Sequence, residues 1–254
     1  MTSIFSIARY TLTQQLRNRL YLVIILFGVL MVGASVLFGA VAADQEIRVI
    51  LDLGFATTEF FGLAMALFGA VTLVLEEMES KTIYLILTRP QPRATYILGR
   101  FLGLVLAVWT GMALMEVMHF ALLLFKGWKA DPLTFAALPA MGLKVMIMTA
   151  LALLCSLLFT SAPTATVFSL FFWVLGHFGE EIRFLAKKSG QPVAMALVKG
   201  LLWILPNLTM LNLRDHLEIP GFPLTQILPA ALYALLYTGA ALSLSIALFA
   251  RKEF

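Results

Sequence analysis

The stretch EEMESKTIYLILTRPQPRATYILGR, residues 76–100, is a charged island between two long apolar runs. It holds Glu76, Glu77 and Glu79, then Lys81, Arg89, Arg93 and Arg100, around an apolar centre from Ile83 to Leu87 that Pro90 and Pro92 close. Charged side chains are costly inside a bilayer, so such a segment sits in water or against protein. The runs on either side are of the opposite kind. The chain is 61% hydrophobic and only 13% charged, against about 25% charged in soluble domains. One soluble core cannot hide that much apolar surface, and the excess must face lipid.

A helix rises about 1.5 Å per residue, so a hydrocarbon layer of about 30 Å takes about 20 residues. Working outward from the island, that ruler predicts an all-α membrane protein forming a single domain over 1–254, with six spans near 20–43, 55–75, 99–125, 138–159, 163–180 and 225–249. Leu20 to Ala43 carries no charge and is too long for the apolar core of a cleaved leader, so it reads as a span. Ahead of it, Ile4, Ala8, Leu12 and Leu16 recur every fourth residue among polar neighbours, which predicts an interfacial helix over 3–19. A short loop with Asp44, Glu46, Arg48 and Asp52 is expected before the second span, with Glu59 near that span's outer end. Lys144 is expected to snorkel from one end of the fourth span. Val145 to Gly179 lacks any Asp, Glu, Lys or Arg and is too long for one span; Ser161 and Pro163 fit an N-cap and first turn that divide it. Residues 181–222, interrupted by Gly190, Pro192 and Pro206, read as helices hugging the membrane.

Six spans place both termini on one side. The bases divide evenly between the two sides, nine of the 18 falling on the termini and the island. Their density there, with Arg17 and Arg19 abutting the first span, favours termini and island in the cytoplasm. The bases flank apolar runs as interface anchors, so no nucleic-acid partner is expected at a net charge of +4.

The order Glu76-x-x-Glu79-Ser80-Lys81-Thr82, Leu85-x-Leu87, Arg89-Pro90, Arg93 and Tyr96-Ile97-Leu98-Gly99-Arg100 resembles the cytoplasmic loop of ABC-2 type transporter permeases. The six-span layout, the N-terminal helix, the polar break Leu205-Pro206-Asn207 and the tail Lys252-Glu253-Phe254 are similar to that family as well. The resemblance implies a permease subunit of the inner membrane, exporting its substrate, with residues 76–98 as a coupling helix seated in a groove of a separate ATPase. By that likeness Glu76, Glu77, Glu79, Lys81, Thr82, Ile83, Leu85, Arg89, Pro90 and Arg93 meet the ATPase. It also implies two ATPase copies, which hold ATP and Mg²⁺, and a second permease chain, identical or similar. This chain is then not itself an enzyme and binds no cofactor. It has no GxxxxGK[ST] loop, HExxH or paired cysteines.

Two further features lie in the third span. Gly99, Gly103, Ala107 and Gly111 share a face at spacing four, which allows close helix approach, either as static packing against a neighbouring span or as a face that moves. Glu116 and His119, at i and i+3, share another face. They read either as a pair satisfied within the bundle or as part of a substrate path or subunit interface. Met112, Met115, Met118, His119 and His177 have soft-metal donor chemistry but do not share one face, so ordinary packing and no metal is the expectation. Two rival functions stay open: an ion- or proton-coupled transporter or channel using Glu116, and a membrane anchor that transports nothing.

Overall fold

Long uncharged runs rich in Leu, Ala, Val and Phe satisfy every backbone group internally only as helices when they face lipid, and helices are what the chain forms. The structure is a computed structural model and describes residues 4–17, 20–41, 45–79, 92–129, 132–213 and 227–251. In chain order the described elements are α1 (Ile4–Arg17), α2 (Leu20–Val41), α3 (Glu46–Glu79), α4 (Arg93–Phe125), α5 (Pro132–Leu158), α6 (Ala162–His177), α7 (Gly179–Lys188), α8 (Pro192–Ile204), a 3-10 turn at Thr209–Leu211, and α9 (Ile227–Arg251). The protein is an all-α integral membrane protein. Among the described residues, five helices are long and apolar enough to cross a membrane, and six spans result if α6 and α7, bent by 65° at Phe178, count as one.

α5 is the axis of the bundle: 83% of its apolar stretch is buried, against 17% for peripheral α2. It packs on α3, α4, α6 and α9. Its centre is built of small and flexible residues, Met146, Met148, Ala150, Ala152 and Cys155, which let four neighbours approach. The larger apolar cluster joins α3, α4, α5, α6 and α9. A second cluster, Phe27, Met31, Phe55, Met112, Met115 and Met141, ties α2 to α3, α4 and α5.

Several boundaries differ from the sequence expectation for one reason: charge does not end a helix. Glu46, Arg48 and Asp52 occupy the first turns of α3 rather than a loop. Glu59 is therefore thirteen residues inside the helix, about 20 Å along its axis. α4 likewise starts at Arg93, six residues before the expected span. Ser161 does stand at the N-cap of α6 with Pro163 in the first turn, but its side chain makes no capping hydrogen bond.

α1 departs most in its surroundings. Its buried residues are Ala8 and Thr11, and it lies along α4. The inward stripe runs Ile4, Ile7, Ala8, Thr11, with Leu16 left exposed. A spacing of four drifts about 40° per step around a helix of 3.6 residues per turn, so Leu16 rotates away.

At the end of the bundle opposite the last turn of α3 and the first turn of α4, α7 and α8 form a hairpin turned at Gly190, whose φ is +65°, a region that favours glycine. α7 carries Glu180, Glu181, Lys187 and Lys188, while α8 leaves Val193, Leu197, Trp203 and Ile204 exposed. The chain then turns back into the bundle, burying Leu205, Leu208, Leu211 and Leu213. The Leu208 N–H donates to the Gly176 carbonyl at 3.1 Å. A side chain at Gly176 would stand 2.8 Å from the Pro206 carbonyl oxygen, so a bare backbone is required for this re-entry.

Candidate functional site

The two helices that frame the charged island are joined where they leave the bundle. Tyr96 and Arg100 are four residues apart on α4 and so share a face. Both reach Glu77 in the last turn of α3: the Tyr96 hydroxyl donates to one carboxylate oxygen and the Arg100 guanidinium to the other. Arg100 Nη1 also donates to Thr11 Oγ1 at 2.9 Å and to Gln14 Oε1 at 3.4 Å on α1. Thr11 spends its own proton on the Ile7 carbonyl at 2.9 Å, which leaves its oxygen free to accept. The guanidinium lies over the rings of Tyr10 and Tyr96, 5.3 and 5.5 Å from their centroids. At 2% exposure Arg100 is a buried cation whose fork links three helices.

A fourth helix joins them. Arg93 Nη1 donates to the carbonyls of Phe249 and Ala250 at 2.9 and 2.7 Å, in the last turn of α9. Helix C-termini leave such carbonyls unpaired and partly negative, so an arginine suits them. Tyr96 stacks on Phe249 at 5.2 Å. The island's two legs are thus fastened to the N-terminal helix and to the last span.

The glycine stripe completes this corner. A side chain at Gly99 would stand 2.6 Å from Ile7 Cβ, and one at Gly103 would stand 2.6 Å from the Ala8 carbonyl oxygen. The neighbour that needs these glycines is α1, not another span as expected. Ala107 and Gly111 are buried further along α4. Gln15 of α1 reaches across to the Gly69 carbonyl of α3 at 3.5 Å.

Of the residues expected to meet an ATPase, Glu77 and Arg93 are in this corner. Glu76 and Glu79 belong to the last turn of α3, and their side chains lie outside the described residues. Lys81, Thr82, Ile83, Leu85, Arg89 and Pro90 also lie outside the described residues. Sequence reasoning did not assign Tyr96, Arg100, Thr11 or Gln14 to the site. The available signal was Tyr96 and Arg100 at spacing four, facing the acids that end the preceding helix.

A second polar cluster lies deep in the opposite half. Lys144 does not snorkel: it is 1% exposed and twelve residues inside α5, about 18 Å from the helix start. Its ammonium donates to Glu59 Oε1 at 2.7 Å and to Asn212 Oδ1 at 3.0 Å, and it faces His177 Nε2 at 3.4 Å. His177 Nδ1 lies 2.9 Å from the Trp173 carbonyl, so Nδ1 carries the proton and Nε2 is free to accept from Lys144. The cluster links α3, α5 and α6 to the re-entrant segment, and the long-range partners of Lys144 gave no sequence-local signal.

Glu116 and His119 form the third cluster, with Oε2 and Nδ1 3.1 Å apart. The ring fits against bare backbone at Gly54, where any side chain would collide with it. His119 and His177 belong to different clusters, His119 with Glu116 and His177 with Lys144.

A search of curated protein sequences finds no match. A family model described as ABC-2 family transporter protein matches residues 5–254. That match covers nearly the whole chain, including α1 and both legs of the island, so the chain belongs to the ABC-2 family and is a membrane subunit of an ABC transporter.

Proposed function

We propose that this subunit is a permease that exports its substrate across the cytoplasmic membrane, driven by a separate ATPase docked on residues 76–98. Two ATPase copies hold ATP and Mg²⁺, and a second permease chain completes the assembly. The termini and the island face the cytoplasm, where the ATPase is. The observation that carries this reading is the Glu77–Tyr96–Arg100 junction. Force applied to a loop reaches the bundle only through its two legs. Here both legs are locked together and bonded to α1, while Arg93 holds the end of α9. A displacement of the loop therefore moves four helices as one unit, which is what a lever between an ATPase and a membrane pathway requires.

The test is purification of the tagged subunit from membranes in mild detergent, with mass spectrometry of the proteins retained. A stoichiometric ATPase is expected, and it should be lost when residues 83–93 are replaced by a Gly/Ser linker. An ATPase in neither sample, with the subunit folded, refutes the docking reading. Retention of the ATPase without any ATP-dependent transport supports the anchor instead. Transport that needs no ATPase and is abolished by Glu116→Gln supports the ion-coupled carrier.

A further inference from the structure

The hairpin of α7 and α8 follows directly on α6, which carries no Asp, Glu, Lys or Arg, and leaves it at a bend of 65°. A chain that turns so sharply at the end of an apolar helix runs along the bilayer surface rather than on through it. α8 fits that level. Val193, Leu197, Leu201 and Ile204 stand at steps of four, four and three, so they form one stripe, and all four are exposed. A stripe of this kind suits the acyl margin of a bilayer. Lys199 is the lone charged residue of α8. With 3.6 residues per turn it stands about 155° around the helix from the middle of the stripe.

On that other side Lys199 shares a cleft of about 270 Å³ with Arg183 of α7; Leu202 and Trp203 complete its lining. Arg183 has one acid, Glu180, at 3.2 Å in the preceding turn, with both side chains more than half exposed, and an exposed pair of this kind is weak. Among the described residues Lys199 has no acidic partner. Two cations from two helices therefore line one accessible cleft, and the one carboxylate near them is loosely held. Trp203, 90% exposed, adds a flat apolar ring with an N–H donor, a side chain suited to the headgroup level. It lies around α8 between Lys199 and the apolar stripe.

We propose that this cleft binds the phosphate of an anionic phospholipid, with Arg183 and Lys199 donating to its oxygens and the acyl chains passing Trp203 toward the α8 stripe. Guanidinium and ammonium groups both suit phosphate oxygens. Two bases against one exposed acid leave the cleft net positive, so a phosphoglycerol head, with no cation of its own, fits better than a phosphocholine. The apolar stripe beside the bases selects a lipid over a free phosphate ester, which would engage the bases alone. The site does not depend on whether an ATPase docks on residues 76–98.

The test is native mass spectrometry of the detergent-purified full chain, titrated with phosphatidylglycerol or with phosphatidylcholine of the same acyl chains and read as the affinity of the first bound lipid. Phosphatidylglycerol is expected to bind more tightly. Arg183→Gln and Lys199→Gln should each weaken it about fivefold, the effect of one base near a lipid surface, and the two together about thirtyfold. Lys187→Gln with Lys188→Gln removes the same charge from the same hairpin outside the cleft, and should change the affinity by less than about twofold. All four side chains are exposed, so the variants keep the fold. Equal affinity for the two lipids would overturn the proposal. So would an equal loss from the Lys187 and Lys188 pair, which would show diffuse attraction only. Displacement of the bound lipid by an equal concentration of glycerol phosphate would assign the cleft to a free anion and overturn it as well.

Discussion

Replacing Lys144 by methionine removes one partner of a buried ion pair while keeping most of the side-chain volume. At 2.7 Å and an effective dielectric of about 20, the Lys144–Glu59 attraction is about 6 kcal/mol in gross terms. Taking two ions out of water costs several kcal/mol each, so the pair adds little to net stability. The single substitution is different: Glu59 stays buried without its cation, and Asn212 Oδ1 and His177 Nε2 each lose a donor. Breaking a buried pair on one side costs about 3–5 kcal/mol. Lys144→Met is therefore expected to destabilise the subunit by that amount, and Glu59→Gln by less, because Gln can still accept from the ammonium. The double variant, neutral throughout, should be more stable than Lys144→Met alone. The assay is reversible unfolding in bilayer discs for all four proteins, read as a double-mutant cycle. Additive single effects, with the double variant less stable than either single, would refute the ion-pair reasoning.

Other predictions concern the loop end and the histidine seat. Arg100→Lys keeps the charge but loses the fork that reaches Glu77, Thr11 and Gln14 together; stimulation of the partner ATPase by the permease should fall about tenfold, about one charge-assisted hydrogen bond, while the two proteins still co-purify. Gly103→Val drives a side chain into Thr11 and the Ala8 carbonyl; α1 should be displaced, at an overpacking cost of about 1–3 kcal/mol, and trypsin should cut faster after the exposed Arg9 and Arg17. Gly54→Ala sets a methyl group against the His119 ring; it should lower thermal stability by a similar amount, and His119→Ala in the same chain should restore part of the loss.

The sequence made the membrane class legible because the signal is local. Apolar length, charge at the margins and breaks at Pro163 and Pro206 can each be read within about 20 residues. The same rulers misplaced helix starts at Glu46 and Arg93, since a charged residue leaves the membrane without leaving the helix. They also placed Lys144 at a bilayer edge, because nothing near it in sequence names a partner; Glu59 is 85 residues away and Asn212 is 68. Glu116 and His119 were legible as neighbours, since spacing three on a helix fixes that contact whatever the fold.

By itself, then, the sequence determined the properties that depend on composition and short-range periodicity: a multi-span helical bundle, a charged island between two spans and a small-residue face on α4. Only the tertiary structure decided which helix covers that face, which acid receives Arg100 and what neutralises Lys144. Those choices bring together groups far apart in the chain, and in a low-dielectric interior the fold must match each buried charge to a partner.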